Sequence, residues 1–196
     1  MYAFAHSLIP GPRVAVNPLE EFAQALTMLH GMAAIVRSGP GLLEDTPFKV
    51  ALLPPPGDPA TPLSPETEGY LAALKAASSG MTWLGGQEEA EGYSFMIAIL
   101  RYTFVLQRDE PGRQMAAVPF AVLLPGPVLS GFREQQPLAL CLIAGYATVL
   151  HALRRHLWIQ GWGRRVMEGL QRKLAGSGWE EVIAWPVQVV LSDLPE

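Results

Sequence analysis

The sequence predicts an all-α fold, a single-domain helical bundle of residues 1–196 with two or three central helices and proline-rich irregular connections. Three observations carry this reading. From Leu138 to Leu153 the chain is apolar on almost every side, which in a helix means enclosure on all faces rather than along one stripe. At roughly 16 residues the run falls short of the ~20 that a membrane span needs, so it reads as a buried central helix. Next, Trp158, Trp162, Val166, Leu170 and Leu174 recur at steps of four while Arg154, Arg155, Arg164, Arg165, Arg172 and Lys173 fall mostly elsewhere, the pattern of an amphipathic helix lying against the first. Finally, the earlier part of the chain is punctuated by cap-and-proline pairs, Asn17-Pro18 and Ser64-Pro65, which open helices by supplying a capping side chain and a first residue with its φ already set.

Taken in order, Met1 to Val16 is an N-terminal arm without a regular pattern. A helix follows from about Pro18 to Arg37, with Phe22, Ala25, Leu26, Leu29, Met32, Ala33 and Val36 as its apolar stripe and Gly39-Pro40 as its stop. Thr46-Pro47 starts a short helix within 42–53, and PPPGDPATPLSP at 54–65 is a surface loop too rich in proline to be regular. The next helix runs from about Pro65 to Ala77, with Glu66 and Glu68 at its positive end. Gly80 to Gly86 turns the chain and carries Met81, Trp83 and Leu84, which something must cover. A second central helix spans Gln87 to Arg108, acidic first and basic last, the favourable order for the helix dipole.

Between Gln114 and Leu124, prolines 119 and 125 leave a short helix and an extended segment equally open. A short helix fits Pro127 to Arg133. Gly161 and Gly163 would each cost about 1 kcal/mol against alanine inside a helix, so either something approaches closely there or the helix is broken. Trp179 to Trp185 closes over the core as a short helix or turn ended by Pro186, and a valine-rich tail follows to Leu191.

Composition narrows the function classes. The chain is 49% hydrophobic and 16% charged, with a mean hydropathy of +0.20, high enough that some apolar surface should line a cavity or an interface. A net charge of −4 gives no basic footprint for nucleic acid, and direct nucleic-acid binding is not expected. The arginines at 154, 155, 164 and 165 read as a solvated helix face before a phosphate site. The lone Cys141 sits in the apolar run and reads as packing, and the several cysteines of a zinc cluster are missing. No signal peptide opens the sequence, so an intracellular protein of cytoplasm or nucleus is expected.

Catalytic and cofactor motifs are absent. His6, His30, His151 and His156 include no i,i+4 pair, there is no GxSxG elbow, and Gly39-Pro40-Gly41 and Gly126-Pro127 lack the phosphate-loop arrangement. No metal and no cofactor are expected. Met32, Tyr93, Met96, Leu100, Phe104, Tyr146, Val149, Trp158 and Trp162 would face a common interior if their helices pack together. That interior is either ordinary core or a ligand pocket, for which tyrosine hydroxyls, Arg101 and His151 could supply the few polar groups. His151 itself reads as a polar plug at a helix end, as a ligand contact or as an acid–base group.

PLAL at 137–140, Tyr146, LHAL at 150–153, Trp158, GWG at 161–163 and WP at 185–186 resemble the C-terminal regulatory domain of fungal zinc-binuclear-cluster transcription factors of the sterol uptake control type. NPLEEFAQALTMLHGMAAIV at 17–36 and EGYSFMIAILRYTFVLQ at 91–107 are similar to earlier blocks of that domain, in the same order. The resemblance implies a helical receptor for a hydrophobic, sterol- or terpenoid-like molecule, with homodimer contacts. It favours an extended link with flanking helical turns over 114–124, and it marks Gly145 as a departure that either widens a pocket or permits a tight helix crossing. The zinc-cluster and coiled-coil segments of the family are missing. A cofactor-free cyclase or isomerase acting on a polyketide or terpenoid through Arg101, Tyr146 and His151 is the alternative, since such chemistry needs positioning more than a nucleophile. A dimerising adaptor is a third possibility.

Overall fold

The computed structural model describes residues 17–38, 61–83 and 85–192, without the side chains at 32, 33 and 35–38. The expected N-terminal arm, the Gly39-Pro40 stop, the short helix within 42–53 and most of the proline loop lie outside those residues. All the regular structure described is helical. α1 spans Pro18–Ser38, α2 Pro65–Ser79, α3 Gly86–Asp109, α4 Val118–Val122, α5 Gly126–Arg133, α6 Pro137–Ala152, α7 Trp162–Leu174 and α8 Glu180–Leu191, with a 3-10 turn at Gln114–Ala117 leading into α4.

α6 is the axis of this arrangement. Every residue from Leu138 to His151 is buried, as its all-round apolar sequence requires. Its neighbours can be read from three successive residues. Gly145 faces α2 and α3, where a Cβ would come within 2.7 Å of both Tyr70 Cε1 and Leu100 Cδ2. Tyr146 faces α4 and the 3-10 turn, its ring stacked on Phe120 at 4.3 Å and its hydroxyl donating to the Ala117 carbonyl at 2.8 Å. Ala147 faces α7, where a Cβ on Gly163 would lie 2.7 Å from the Ala147 carbonyl oxygen and 2.6 Å from the His151 nitrogen. Gly145 therefore serves a tight helix crossing and leaves no widened pocket.

Both readings of the Gly161/Gly163 pair hold, one at each residue. Gly161 has φ +76° and ends a series of turns after α6, a backbone region that costs an L-residue roughly 1–2 kcal/mol. Gly163 supplies the close approach. The break takes Trp158 out of the amphipathic stripe: α7 starts at Trp162, and Trp158 sits in the turn. It also leaves α7 with Trp162, Val166, Leu170 and Leu174 on its buried side.

Two further expectations are corrected. Residues 114–122 are helical, because Pro119 falls in the first turn of α4, where the missing N–H has no partner to lose. The extended link favoured by the resemblance is not there. Pro186 lies inside α8 and does not end it. In the interior of this helix it removes a backbone bond, and burial of Ile183, Pro186 and Val190 offsets that loss. The Ser64 cap is present, with its hydroxyl accepting from the Thr67 N–H at 3.3 Å.

Candidate functional site

Aromatic side chains of five helices meet beneath α1. Phe22 of α1 lies 5.4 Å from Trp162 of α7 and 6.2 Å from both Phe132 of α5 and Tyr146 of α6, between ring centroids. Tyr146 in turn stacks on Phe120 of α4. The sequence puts them there simply. Phe22 belongs to the apolar stripe of α1, Phe120 follows the proline that opens α4, and Trp162 opens α7 beside the Gly163 contact. The Arg165 guanidinium covers the Trp162 ring at 4.6 Å and reaches Glu21 at 3.7 Å, tying the first turn of α7 to α1.

Next to this cluster is a groove of about 450 Å³ between the start of α1 and the end of α7. Pro18, Leu19 and Gly169 line its apolar side, and Asn17, Gln135, Arg172 and Lys173 its polar side. Leu19 rests against Gly169, where a Cβ would lie 3.0 Å from Leu19 Cγ. Gln135 has φ 60°, the one non-glycine residue with positive φ among those described.

Seven of the nine expected ligand residues, Tyr93, Met96, Leu100, Phe104, Tyr146, Val149 and Trp162, lie in one hydrophobic core, but their ring contacts do not form one group. Tyr146 and Trp162 are brought together through Phe22. Tyr93 stacks on Trp83 at 4.8 Å and donates to Gln136 Oε1 at 3.0 Å, which answers what covers Trp83. Phe104 packs edge-on to Trp185, which also touches Tyr70. Met96, Leu100 and Val149 are fully buried core residues. Trp158 is 39% exposed; its indole N–H donates to Gln114 Oε1 at 2.9 Å, and the Gln114 amide nitrogen meets His156 Nδ1 at 2.6 Å. Met32 is one of the side chains outside the description.

Nor do Arg101, Tyr146 and His151 form a set. The Arg101 guanidinium contacts both Glu68 oxygens, at 2.6 and 2.7 Å, and the Thr61 carbonyl at 2.8 Å. It thereby holds the Glu68 carboxyl below the usual carboxylate range. Tyr146 is committed to Ala117, and burial pushes its phenol well up. His151 is buried in the last turn of α6, beside α7. A buried neutral phenol and a paired guanidinium, each held by a structural partner, are not poised for proton transfer.

Phe120, Phe132 and the groove residues escaped sequence reasoning. Only Arg172 and Lys173 had a signal, as cations standing off the apolar stripe. Among the described residues no group of three or more His, Cys, Asp or Glu side chains could hold a metal ion, and no single helix is long and apolar enough to cross a membrane. Comparison with protein-family models, with curated proteins and with solved structures finds no match.

Proposed function

We propose that the chain is a regulatory domain, of the kind found in fungal transcription factors, that takes a hydrophobic small molecule of sterol or terpenoid type beneath α1. The observation that supports it is the convergence of Phe22, Phe120, Phe132, Tyr146 and Trp162 from five helices. α1 closes this cluster with three buried apolar side chains, Leu19, Phe22 and Leu26. A flat apolar ligand takes the place of the Phe22 ring and displaces α1, so that occupancy is read out as a shift between two packings. The state with Phe22 docked competes with ligand, which lowers apparent affinity by the fraction of molecules that are open.

Native mass spectrometry of protein purified from a eukaryotic host, followed by denaturing extraction, tests the reading. A stoichiometric lipophilic adduct is expected. Phe22→Ala should lower the stability of the empty protein by about 3–5 kcal/mol and at the same time tighten lipophile binding. An empty protein, with no thermal shift across a panel of sterols and terpenoids, would sink it.

The dimerising adaptor is a second reading, supported by Leu157 and Trp158, which are 76% and 39% exposed side by side in the turn after α6. Sedimentation of the wild type beside a Leu157→Glu, Trp158→Glu variant checks it: a dimer that the variant abolishes is the expected result. The enzyme reading has no comparable support, because Arg101 and Tyr146 are occupied by structural partners.

A further inference from the structure

We infer that the groove between α1 and α7 receives an anionic terminus, so that the small molecule is a hydrophobic acid, with its apolar body under α1 and its charged end between Arg172 and Lys173. The inference rests on the apolar-ligand reading above and adds its chemical class. α7 carries four cations, Arg164, Arg165, Arg172 and Lys173. Those at its start are engaged, Arg164 with Glu168 at 3.1 Å and Arg165 with Glu21 and the Trp162 face. Those at its end line the groove, and among the described residues no carboxylate lines it with them. On a chain of net charge −4, this is a local reversal of sign, and an anion placed there meets two cations.

The neutral wall has its own oddity. α5 ends with the Gln135 N–H bonded to the Phe132 carbonyl at 3.0 Å and the Gln136 N–H bonded to the Gly131 carbonyl at 2.8 Å. Gln135 thus occupies the left-handed position that closes a helix, where glycine is the usual residue. Glutamine is the costlier choice there, and it places a side-chain amide, able to donate to an anion, in the groove wall. Backbone outliers of this sort concentrate at ligand sites.

Distance along the helix links the two parts. Leu19, which floors the groove, is three residues from Phe22, which roofs the aromatic cluster, and residues so spaced are neighbours on one helix face. A volume of about 450 Å³ lies within the ~300–1,000 Å³ of small-molecule clefts. A molecule that reaches from groove to cluster must be apolar at one end and anionic at the other.

The test compares dodecanoate, dodecanol and acetate, each below any micellar concentration, by isothermal calorimetry on the wild type and on an Arg172→Gln, Lys173→Gln variant. Both replaced side chains are exposed, so the variant keeps its fold, which circular dichroism verifies. Dodecanoate should bind the wild type at least about tenfold more tightly than dodecanol, the equivalent of about 1.4 kcal/mol. The variant should lose that preference while its affinity for dodecanol stays the same. Equal binding of acid and alcohol to the wild type would overturn the anionic terminus and leave the apolar-ligand reading standing. Acetate binding as tightly as dodecanoate would reduce the groove to an ion site and overturn the inference as well. A preference that survives in the variant would place the anion elsewhere, and failure of both lipophiles on the wild type would overturn the inference, while the sterol and terpenoid panel decides separately the reading on which it stands.

Discussion

Gly163→Ala adds one methyl group at the contact between α6 and α7, and the structure fixes the sign of its effect. The new Cβ would lie 2.6 Å from the His151 nitrogen, 2.7 Å from the Ala147 carbonyl oxygen and 2.9 Å from His151 Cα. All three atoms are backbone of a helix buried on every side, so no rotamer change relieves the overlap and one helix must move off the other. Overpacking of this sort costs about 1–3 kcal/mol, and rigid backbone on the receiving side puts it near the top of that range. Against it stands the higher helix propensity of alanine, worth at most about 1 kcal/mol. The net is a loss of about 2 kcal/mol, or roughly 4–8 °C in Tm for a chain of this length. Gly69→Ala supplies the control, since its Cβ would meet nothing within 4 Å and it sits inside α2. There propensity acts alone, and Tm should rise by roughly 2–4 °C. Thermal denaturation followed by far-ultraviolet circular dichroism reads both. A Gly163→Ala protein as stable as the wild type would refute the close crossing.

Three other outcomes follow from burial and pairing. Burial pushes the Cys141 thiol up to about 12, so at neutral pH a disulfide reagent should leave it unmodified in the folded protein, and modification should track urea unfolding; rapid labelling of the native protein would contradict its placement. The phenols of Tyr70, Tyr93 and Tyr146 are likewise pushed up by burial. Their contribution to stability is complete below the ordinary tyrosine value of about 10 and is lost as pH rises above it, so phenolate absorbance from these residues should develop together with loss of helical signal. Full phenolate formation in a still-helical protein would show that they are accessible. Arg101→Met should cost no more than about 1 kcal/mol, because Glu68 is partly exposed and the pair is screened by solvent. Glu68 is held below its ordinary range, so the difference from wild type in urea titrations should be present above about pH 4.3 and shrink as pH falls below it; a difference that grows in acid would reverse the assignment.

Most of the helical framework was legible in the sequence because it is written locally. Ser64-Pro65 opens α2 as a cap and a pre-set φ would, and the all-round apolar run of α6 is buried on all faces. What escaped depends on contacts distant in the chain. A proline within a helical pattern has two outcomes, and whether Pro186 ends α8 is decided by the partners of Ile183 and Val190, which local pattern does not specify. Trp158 keeps the four-residue step of the stripe, yet Gly161 breaks the helix between it and Trp162, so periodicity across a glycine was no guide. The candidate site was half visible. Tyr146 and Trp162 have the right chemistry, but what joins them is Phe22 from 124 residues before Tyr146, and nothing local announces such a meeting. Likewise Gln135 carries no sequence sign that its backbone turns left-handed.

The enclosure of α6 also sets an order of events during synthesis. A ribosome delivers α2 and α3 before the helix at 137–152 on which both pack. The nascent chain therefore carries the apolar faces of Tyr70, Leu74, Met96 and Leu100 until residue 152 has been added, without their common partner, and such exposed faces are what chaperones hold. Truncation before residue 137 removes the hub and leaves α2 and α3 without the helix on which they pack.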